Sequence, residues 1–392
     1  MHTSDSRTTP LKTLLSKRYL ISLIIFFAAI AAIQTSAQTK IAARTLAGPS
    51  QVSMVASTVP ANGDLNPYGV AIVPVTTGQL VQGHILVSNF NNSANLQGTG
   101  TTIMDIAPDG SSRLFAQIDP TALPGACPGG IGLTTALVVL RSGWVIVGSL
   151  PTMDGTAATA QAGCLLVLDS SGMVKETFSG GDINGPWDMT ALDDGGFAVL
   201  FVTNVLNGTV AASPNVVSQG TVVRLVLRIS PNHNPSLVSS TVIASGFPER
   251  TDPSALVVGP TGVVLNEDLS RLYVADSLNN RIVVIHDPLL RQTSAGTGRT
   301  VAENGKLNTP LGLARTPSGI LIAANAADGN LVFITGDGTQ IAAVAVDNSG
   351  NPPGAGTLFG LAAGREKLYF VDDGSNTLNA LFVFHESAQR EE

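Results

Sequence analysis

The chain has 392 residues with a formal net charge of −7, and 12% of its residues are charged while 44% are hydrophobic. This balance excludes an intrinsically disordered chain, which needs low hydrophobicity and high charge. The acidic excess and the lack of a basic cluster also argue against nucleic acid as a partner, because phosphate binding needs clustered Lys and Arg.

The first 37 residues have the composition of a secretory signal peptide. Basic residues precede an uncharged apolar run at 19–33, and the small residues Thr35 and Ala37 follow it. This order is typical of an export signal with cleavage after Ala37. A retained anchor is the alternative, although about 15 apolar residues are fewer than the roughly 20 that a spanning helix needs. We therefore predict a periplasmic or extracellular protein that meets the membrane only through this segment, if it is uncleaved.

A lead segment at 38–60 precedes a unit that recurs six times over residues 61–387, before a tail at 388–392. Each copy has a turn with Pro or Gly, a short apolar strand, a second strand ending in a polar residue and a third strand. Small sheets repeated in this way stack radially as blades. We predict an all-β, six-bladed β-propeller; a β-sandwich is the alternative, but it does not explain one motif recurring in the same order.

The fourth copy carries the most specific pattern. Its second strand ends at Asp276, and Asn279-Asn280-Arg281-Ile282 opens the third strand. This segment resembles the NHL repeat, and most of the chain beyond residue 37 resembles exported bacterial propellers of that kind. The resemblance implies a fold and a compartment but no assigned activity.

Polar and aromatic residues recur where the first strand of a unit begins and where its second strand ends. In a propeller both positions lie on one face, around the mouth of the central channel. Amide and carboxylate oxygens there can bind a hard cation such as calcium or the hydroxyls of a sugar. Alternatively, these side chains hydrogen-bond their own turns. The candidates are Asn66, Tyr68, Asn89, Trp187, Asp188, Asn204, Asp276, Asn325 and Asp372.

Two of these positions carry sharper hypotheses. Trp187 and Asp188 put an aromatic plate beside a carboxylate, as in many carbohydrate sites, with plain packing as the alternative. The segment 260–277 is similar to gluconolactonase-like enzymes, and this similarity implies that Asp276 binds metal and acts in catalysis. Thr261 stands where that family has an Asn ligand, and no counterpart of its first-blade Glu is evident. The implied ligand set is therefore incomplete.

The sequence has two cysteines, Cys127 and Cys164. The repeat puts Cys127 before the first strand of the second copy and Cys164 at the start of its third strand. Both positions face the same side of one blade, so we predict a disulfide, which an oxidising compartment permits. Two separate buried thiols are the alternative.

Together these features predict an exported NHL-like propeller that binds a small molecule, a glycan or a protein through its channel face. The alternative is a metal-dependent hydrolase or lyase acting on lactones or sugar-like substrates, and a purely structural envelope protein is the third hypothesis. No catalytic residue is assigned, because the catalytic groups of propellers come from different blades and leave no local motif.

Overall fold

The computed structural model describes residues 52–382. The predicted signal peptide, the first part of the lead segment and the C-terminal tail lie outside these residues. Within them, the chain forms six antiparallel sheets in succession. The first strands of the six sheets contact one another in a closed ring, so they line a central channel. The predicted all-β, six-bladed β-propeller is confirmed.

Each blade is an antiparallel meander that starts with its innermost strand, and the third blade has a fifth strand. The strand β1 (Val52–Ser57) precedes the first blade. The first three blades contain β2 (Leu65–Ile72), β3 (Ile85–Asn91), β4 (Thr102–Ile106) and β5 (Ser112–Gln117); β6 (Leu133–Val139), β7 (Val145–Ser149), β8 (Cys164–Leu168) and β9 (Val174–Ser179); and β10 (Pro186–Asp193), β11 (Phe197–Asn204), β12 (Val217–Ser230), β13 (His233–Asp252) and β14 (Leu256–Val258).

Helical structure in the described part of the chain is limited to α1 (Thr209–Ala212) and to 3₁₀ turns at Ala157–Thr159 and Ser277–Asn279.

The last three blades are more regular. The strands are β15 (Pro260–Leu265), β16 (Arg271–Asp276), β17 (Arg281–His286) and β18 (Arg299–Glu303); β19 (Pro310–Arg315), β20 (Leu321–Asn325), β21 (Asn330–Ile334) and β22 (Gln340–Ala345); and β23 (Leu358–Ala363), β24 (Lys367–Asp372) and β25 (Thr377–Phe382).

The sixth blade takes its outer strand from the other end of the described chain. Val52 pairs with Leu381 and Ser57 with Thr377, so β1 runs antiparallel to β25. This strand falls in the segment that the sequence analysis assigned to a lead. Its pairing covers the edge of β25 and joins the last blade to the first, which a ring of blades needs because an open edge is a site of aggregation.

The middle strands of the blades are almost continuous apolar runs because neighbouring blades cover both of their faces. Leu86 of β3, Leu137 of β6 and Val147 of β7, for example, share one core between the first and second blades. β-branched and aliphatic side chains suit such two-sided burial. Within residues 52–382, no helix is long and apolar enough to cross a membrane.

Candidate functional site

The channel is filled by aromatic side chains at the end where the inner strands begin. Tyr68 of β2 stacks on Phe359 of β23 with ring centroids 4.0 Å apart and on Phe90 at 4.4 Å. Trp187 of β10 lies 6.3 Å from Tyr68. All four side chains are buried in one cluster with Leu311 of β19. We call Tyr68, Phe90, Trp187 and Phe359 the aromatic plug.

The segment between β13 and β15 covers the plug. Its Leu256, Val257 and Val258 belong to the same apolar cluster, and the Trp187 indole N–H donates to the Val257 carbonyl oxygen at 3.1 Å. Gln97 of the first blade donates to the Pro253 carbonyl oxygen at 2.8 Å. The channel is therefore closed on the face where the sequence analysis expected a ligand.

Polar residues at the ends of the second strands bind their own blades. Asn89 donates through its amide to the Thr58 carbonyl and the Thr102 hydroxyl at 3.0 and 3.1 Å. The Asn204 side-chain oxygen accepts from the Asn184 amide N–H at 3.0 Å. Asn325 accepts from the Asn308 N–H at 3.1 Å and donates to the Lys306 carbonyl oxygen at 2.9 Å. The three residues are buried, and these contacts join each strand end to segments 13 to 31 residues away in the chain.

The two acidic strand ends are held locally. Asp276 is fully buried, and its Oδ2 accepts from the Arg281 guanidinium at 2.7 Å and from Asn279 at 2.9 Å. Asp372 accepts from the Ser375 N–H at 3.1 Å. Asn66 differs, because its backbone N–H donates to the side chain of the distant Asn376 at 2.7 Å. The binding role of these candidates stays a prediction, and the contacts of Asp276 and Asp372 match the turn-forming alternative.

Three ionisable side chains on the plug side are shielded from solvent by burial. Burial, with the neighbouring Asp372 as a second cause, raises the pKa of Asp373 to about 7. Burial raises the pKa of Glu249 to about 8. Burial, reinforced by Asp373, also holds the pKa of the Tyr68 hydroxyl well above its ordinary value. These groups therefore favour their neutral forms in the folded protein.

The other end of the channel contains a cavity of about 540 Å³, which we call the lumen. It is lined by all six inner strands and by the turns that follow β2 and β6. Among the nine candidates from the sequence, Asp188 lines this cavity. Trp187 and Asp188 are adjacent in sequence, yet the first belongs to the plug and the second faces the lumen.

A β-bulge separates these two side chains. The register of β10 against β11 shifts between Pro186 and Met189, and equivalent shifts occur in the other inner strands. In four other blades the position of Asp188 is a glycine. A Cβ on one of them, Gly360, would come 2.0 Å from the Tyr68 carbonyl oxygen of the next blade. The four glycines are Gly69, Gly262, Gly312 and Gly360.

The carboxyl group of Asp188 joins two inner strands. Its Oδ1 accepts from the Met189 N–H at 2.8 Å, and its Oδ2 accepts from the Val263 N–H of the next blade at 3.0 Å. Burial nevertheless raises the pKa of Asp188 to about 7, although both backbone hydrogen bonds act to lower it. The group is therefore present in both protonation states near neutral pH, and can donate or accept a hydrogen bond at the lumen wall.

Charged residues lie toward the lumen mouth. Arg141 follows β6, Asp193 ends β10 and Arg315 ends β19, and all three line the cavity. Asp193 accepts from the backbone N–H and hydroxyl of Ser142 at 2.8 and 2.7 Å. This contact joins the turn that carries Arg141 to the third blade.

The predicted disulfide is confirmed. Cys127 and Cys164 are bonded, and their Cα atoms lie 5.2 Å apart. The bond joins the loop before β6 to the start of β8 within the second blade. Across residues 52–382, no group of three or more His, Cys, Asp or Glu side chains is arranged to hold a metal ion.

The repeat alignment contains a signal for the lumen that the sequence analysis did not use. Aligning the starts of the inner strands puts Asp188 against four glycines, so one blade carries a carboxylate where four of the other five carry no side chain. Arg141 and Arg315 were not identified, because nothing in their local sequence shows that two turns from separate blades border one cavity.

Comparison with known proteins agrees with this fold. No protein-family model matches the sequence, and no curated protein is significantly similar to it. A gluconolactonase from Xanthomonas campestris superposes with a TM-score of 0.53 at 14% identity, covering 86% of this chain and 90% of that chain. The PQQ-bound aldose sugar dehydrogenase of Streptomyces coelicolor superposes with a TM-score of 0.51 at 15% identity, covering 85% of this chain and 98% of that chain. A luciferin-regenerating enzyme superposes with a TM-score of 0.51 at 12% identity, covering 85% of this chain and 95% of that chain. At these identities the similarity establishes a shared fold and nothing about activity.

Proposed function

We propose that this protein is an exported binding protein that holds a small organic molecule in the lumen, with Asp188 as a polar contact. The observation that carries the proposal is a cavity closed at one end by the aromatic plug and lined by a carboxyl group whose pKa is raised to about 7. Concave, mostly apolar cavities with a few fixed polar groups are the usual form of small-molecule sites.

The size and the rigid frame of the cavity support this proposal. A volume of about 540 Å³ falls in the range of roughly 300–1,000 Å³ that is typical of ligand pockets. The inner strands are fixed by their blades, so the cavity is formed before a ligand arrives, which lowers the entropic cost of binding.

Export belongs to the same proposal. The disulfide between Cys127 and Cys164 supports an oxidising compartment, since structural disulfides persist there and are rare in the cytosol. The signal-peptide pattern of the first 37 residues points the same way.

The substitution Asp188→Gly tests the proposal, because it introduces the residue that four other blades carry and so spares the fold. We would screen mixed small organic acids, alcohols and amines by thermal shift and titrate the strongest binder by calorimetry. Loss of one hydrogen bond to a partly charged group is worth about 1.5–3 kcal/mol, so we expect binding to weaken at least tenfold.

Asp182→Gly is the matched control, because the Asp182 carboxylate faces Ser240 on the outer strand β13 and not the lumen. Wild-type affinity in the control and weakened affinity in Asp188→Gly support the proposal. Equal affinity in all three proteins would show that the ligand does not use Asp188.

A hydrolase acting in the same cavity is the second candidate. The observation that favours it is the pKa of about 7 at Asp188, which suits a group that transfers protons at neutral pH. The version that pairs Asp188 with a cation at Asp276 has less support, because Asp276 is buried against Arg281. Turnover of δ-gluconolactone that Asp188→Gly abolishes would favour the hydrolase, and EDTA would reveal any need for metal. Binding without turnover of this lactone would favour the binding protein.

A further inference from the structure

We infer that the lumen selects an amphiphilic organic anion, whose charged group is held by Arg141 and Arg315 while its apolar part lies between the inner strands. This inference rests on the proposed function of the lumen as a ligand site. It adds the chemical class of the ligand and the two residues that recognise its charge.

The two arginines flank the cavity from opposite sides. Arg141 belongs to the second blade and Arg315 to the fifth, and these blades face each other across a ring of six. Both residues line the lumen. The ring therefore places one arginine on each side of the cavity, and Arg presents a planar set of donors that suits carboxylate, sulfonate or phosphate groups.

Neither guanidinium is engaged in a strong contact within the protein. In the described part of the chain, Arg141 makes no side-chain hydrogen bond or ion pair. Arg315 has one long contact, 3.8 Å to Glu267, whose side chain is 82% exposed. An exposed ion pair at that distance contributes little to the stability of the fold. The Arg315 side chain itself is only 18% exposed, so its position at the lumen wall is well defined while its guanidinium has no close protein partner.

Asp193 is a competing anion on the lining, and its oxygens already accept hydrogen bonds from the protein. Oδ2 accepts from the Ser142 backbone and hydroxyl, and Oδ1 accepts from the Gly195 N–H at 2.7 Å. Asp193 forms no ion pair within 4 Å with Arg141 or Arg315 among residues 52–382. The carboxylate fixes the turn that carries Arg141 and leaves the guanidinium available.

The walls between the arginines and Asp188 combine polar groups of the inner strands with aliphatic side chains. Half-buried aliphatic side chains from five of the six inner strands are among the residues that line the lumen within residues 52–382. Their exposed area favours an apolar ligand body, because each Å² removed from water contributes about 25 cal/mol. These side chains are Ile72, Val139, Leu192, Val264 and Leu361.

The test compares three probes with the same chain and different head groups: octanoate, 1-octanol and octylammonium. Calorimetric titration of the wild-type protein at pH 7 should give octanoate an affinity at least tenfold higher than that of octanol, with octylammonium weaker still. In the double variant Arg141→Gln/Arg315→Gln, octanoate should bind no more tightly than octanol.

Arg271→Gln is the control for the loss of one positive charge, because Arg271 is exposed and lies outside the lumen lining. Arg141→Lys/Arg315→Lys keeps both charges and guards against misfolding of the Gln variant; it should retain part of the selectivity for octanoate.

The outcomes separate this inference from the proposed function. Equal binding of octanoate and octanol to the wild type would leave a lumen site and overturn its selectivity for anions. Octanoate binding that survives removal of both arginines would overturn their role. No binding of any probe, together with an empty thermal-shift screen, would overturn the inference and the proposed function alike.

Discussion

Asp188 is the residue at which this propeller departs most clearly from its own repeat. Four blades keep a glycine at this position, where a side chain would press on the next inner strand, whereas the third blade places a carboxyl group there and binds it to the Val263 N–H. A half-buried carboxyl with a pKa near neutral is a costly group, and such groups concentrate at functional sites.

The raised pKa of Asp188 predicts a pH dependence of stability. The native carboxyl keeps its proton up to pH 7 or so, whereas in the unfolded chain it ionises near 3.8. Its stabilising contribution is therefore complete below pH 3.8 and is lost as the pH rises toward 7. One such group changes the free energy of unfolding by up to about 1.4 kcal/mol per pH unit.

Urea unfolding of the wild type and of Asp188→Gly at pH 5 and pH 7 measures this effect. We expect the wild type to lose stability between the two values and the variant to lose about 2 kcal/mol less. A residual loss remains in the variant because Glu249 and Asp373 also have raised pKa values. Identical losses in both proteins would show that Asp188 ionises in the folded state as easily as in the unfolded chain.

The candidate residues were predicted with unequal success for a physical reason. A polar residue at a strand end has one appearance in sequence whether it binds a ligand or the protein itself, and in the structure Asn89, Asn204 and Asn325 hydrogen-bond to other segments of the chain. Asp188 was identified as one half of a sugar-binding pair with Trp187. The bulge in β10 separates the two, and neither residue type reveals a bulge.

At the scale of elements, the blades were predictable because their strands are continuous apolar runs between turn residues, which a repeat makes easy to recognise. β1 was not. Its sequence, VSMVAS, has one buried and one half-buried position, and its partner β25 lies more than 300 residues away along the chain. Local pattern carries no information about such a pairing.

The disulfide in the second blade gives a prediction at this scale. It closes a loop of 37 residues that carries β6 and β7, and the loop-entropy relation gives it about 4 kcal/mol. Cys127→Ser/Cys164→Ser should therefore unfold at a lower temperature than the wild type in calorimetry without reductant. With reductant the two proteins should melt alike. Equal melting temperatures under both conditions would mean that the bond contributes nothing to stability.

At the scale of the molecule, the ring of blades is asymmetric along its axis. The aromatic plug and the segment between β13 and β15 close one end, while the lumen lies at the other, between strands that the blades hold rigidly. A repeat predicts a channel but cannot tell which end is open, because closure depends on side chains from separate blades that meet only at the axis.

A crystallographic screen of small organic fragments against the mature protein tests the central claim, that the lumen is the ligand site. The account predicts that bound fragments collect between the inner strands beside Asp188, leaving the plug face bare. An empty lumen with fragments on the plug face or between blades would contradict it.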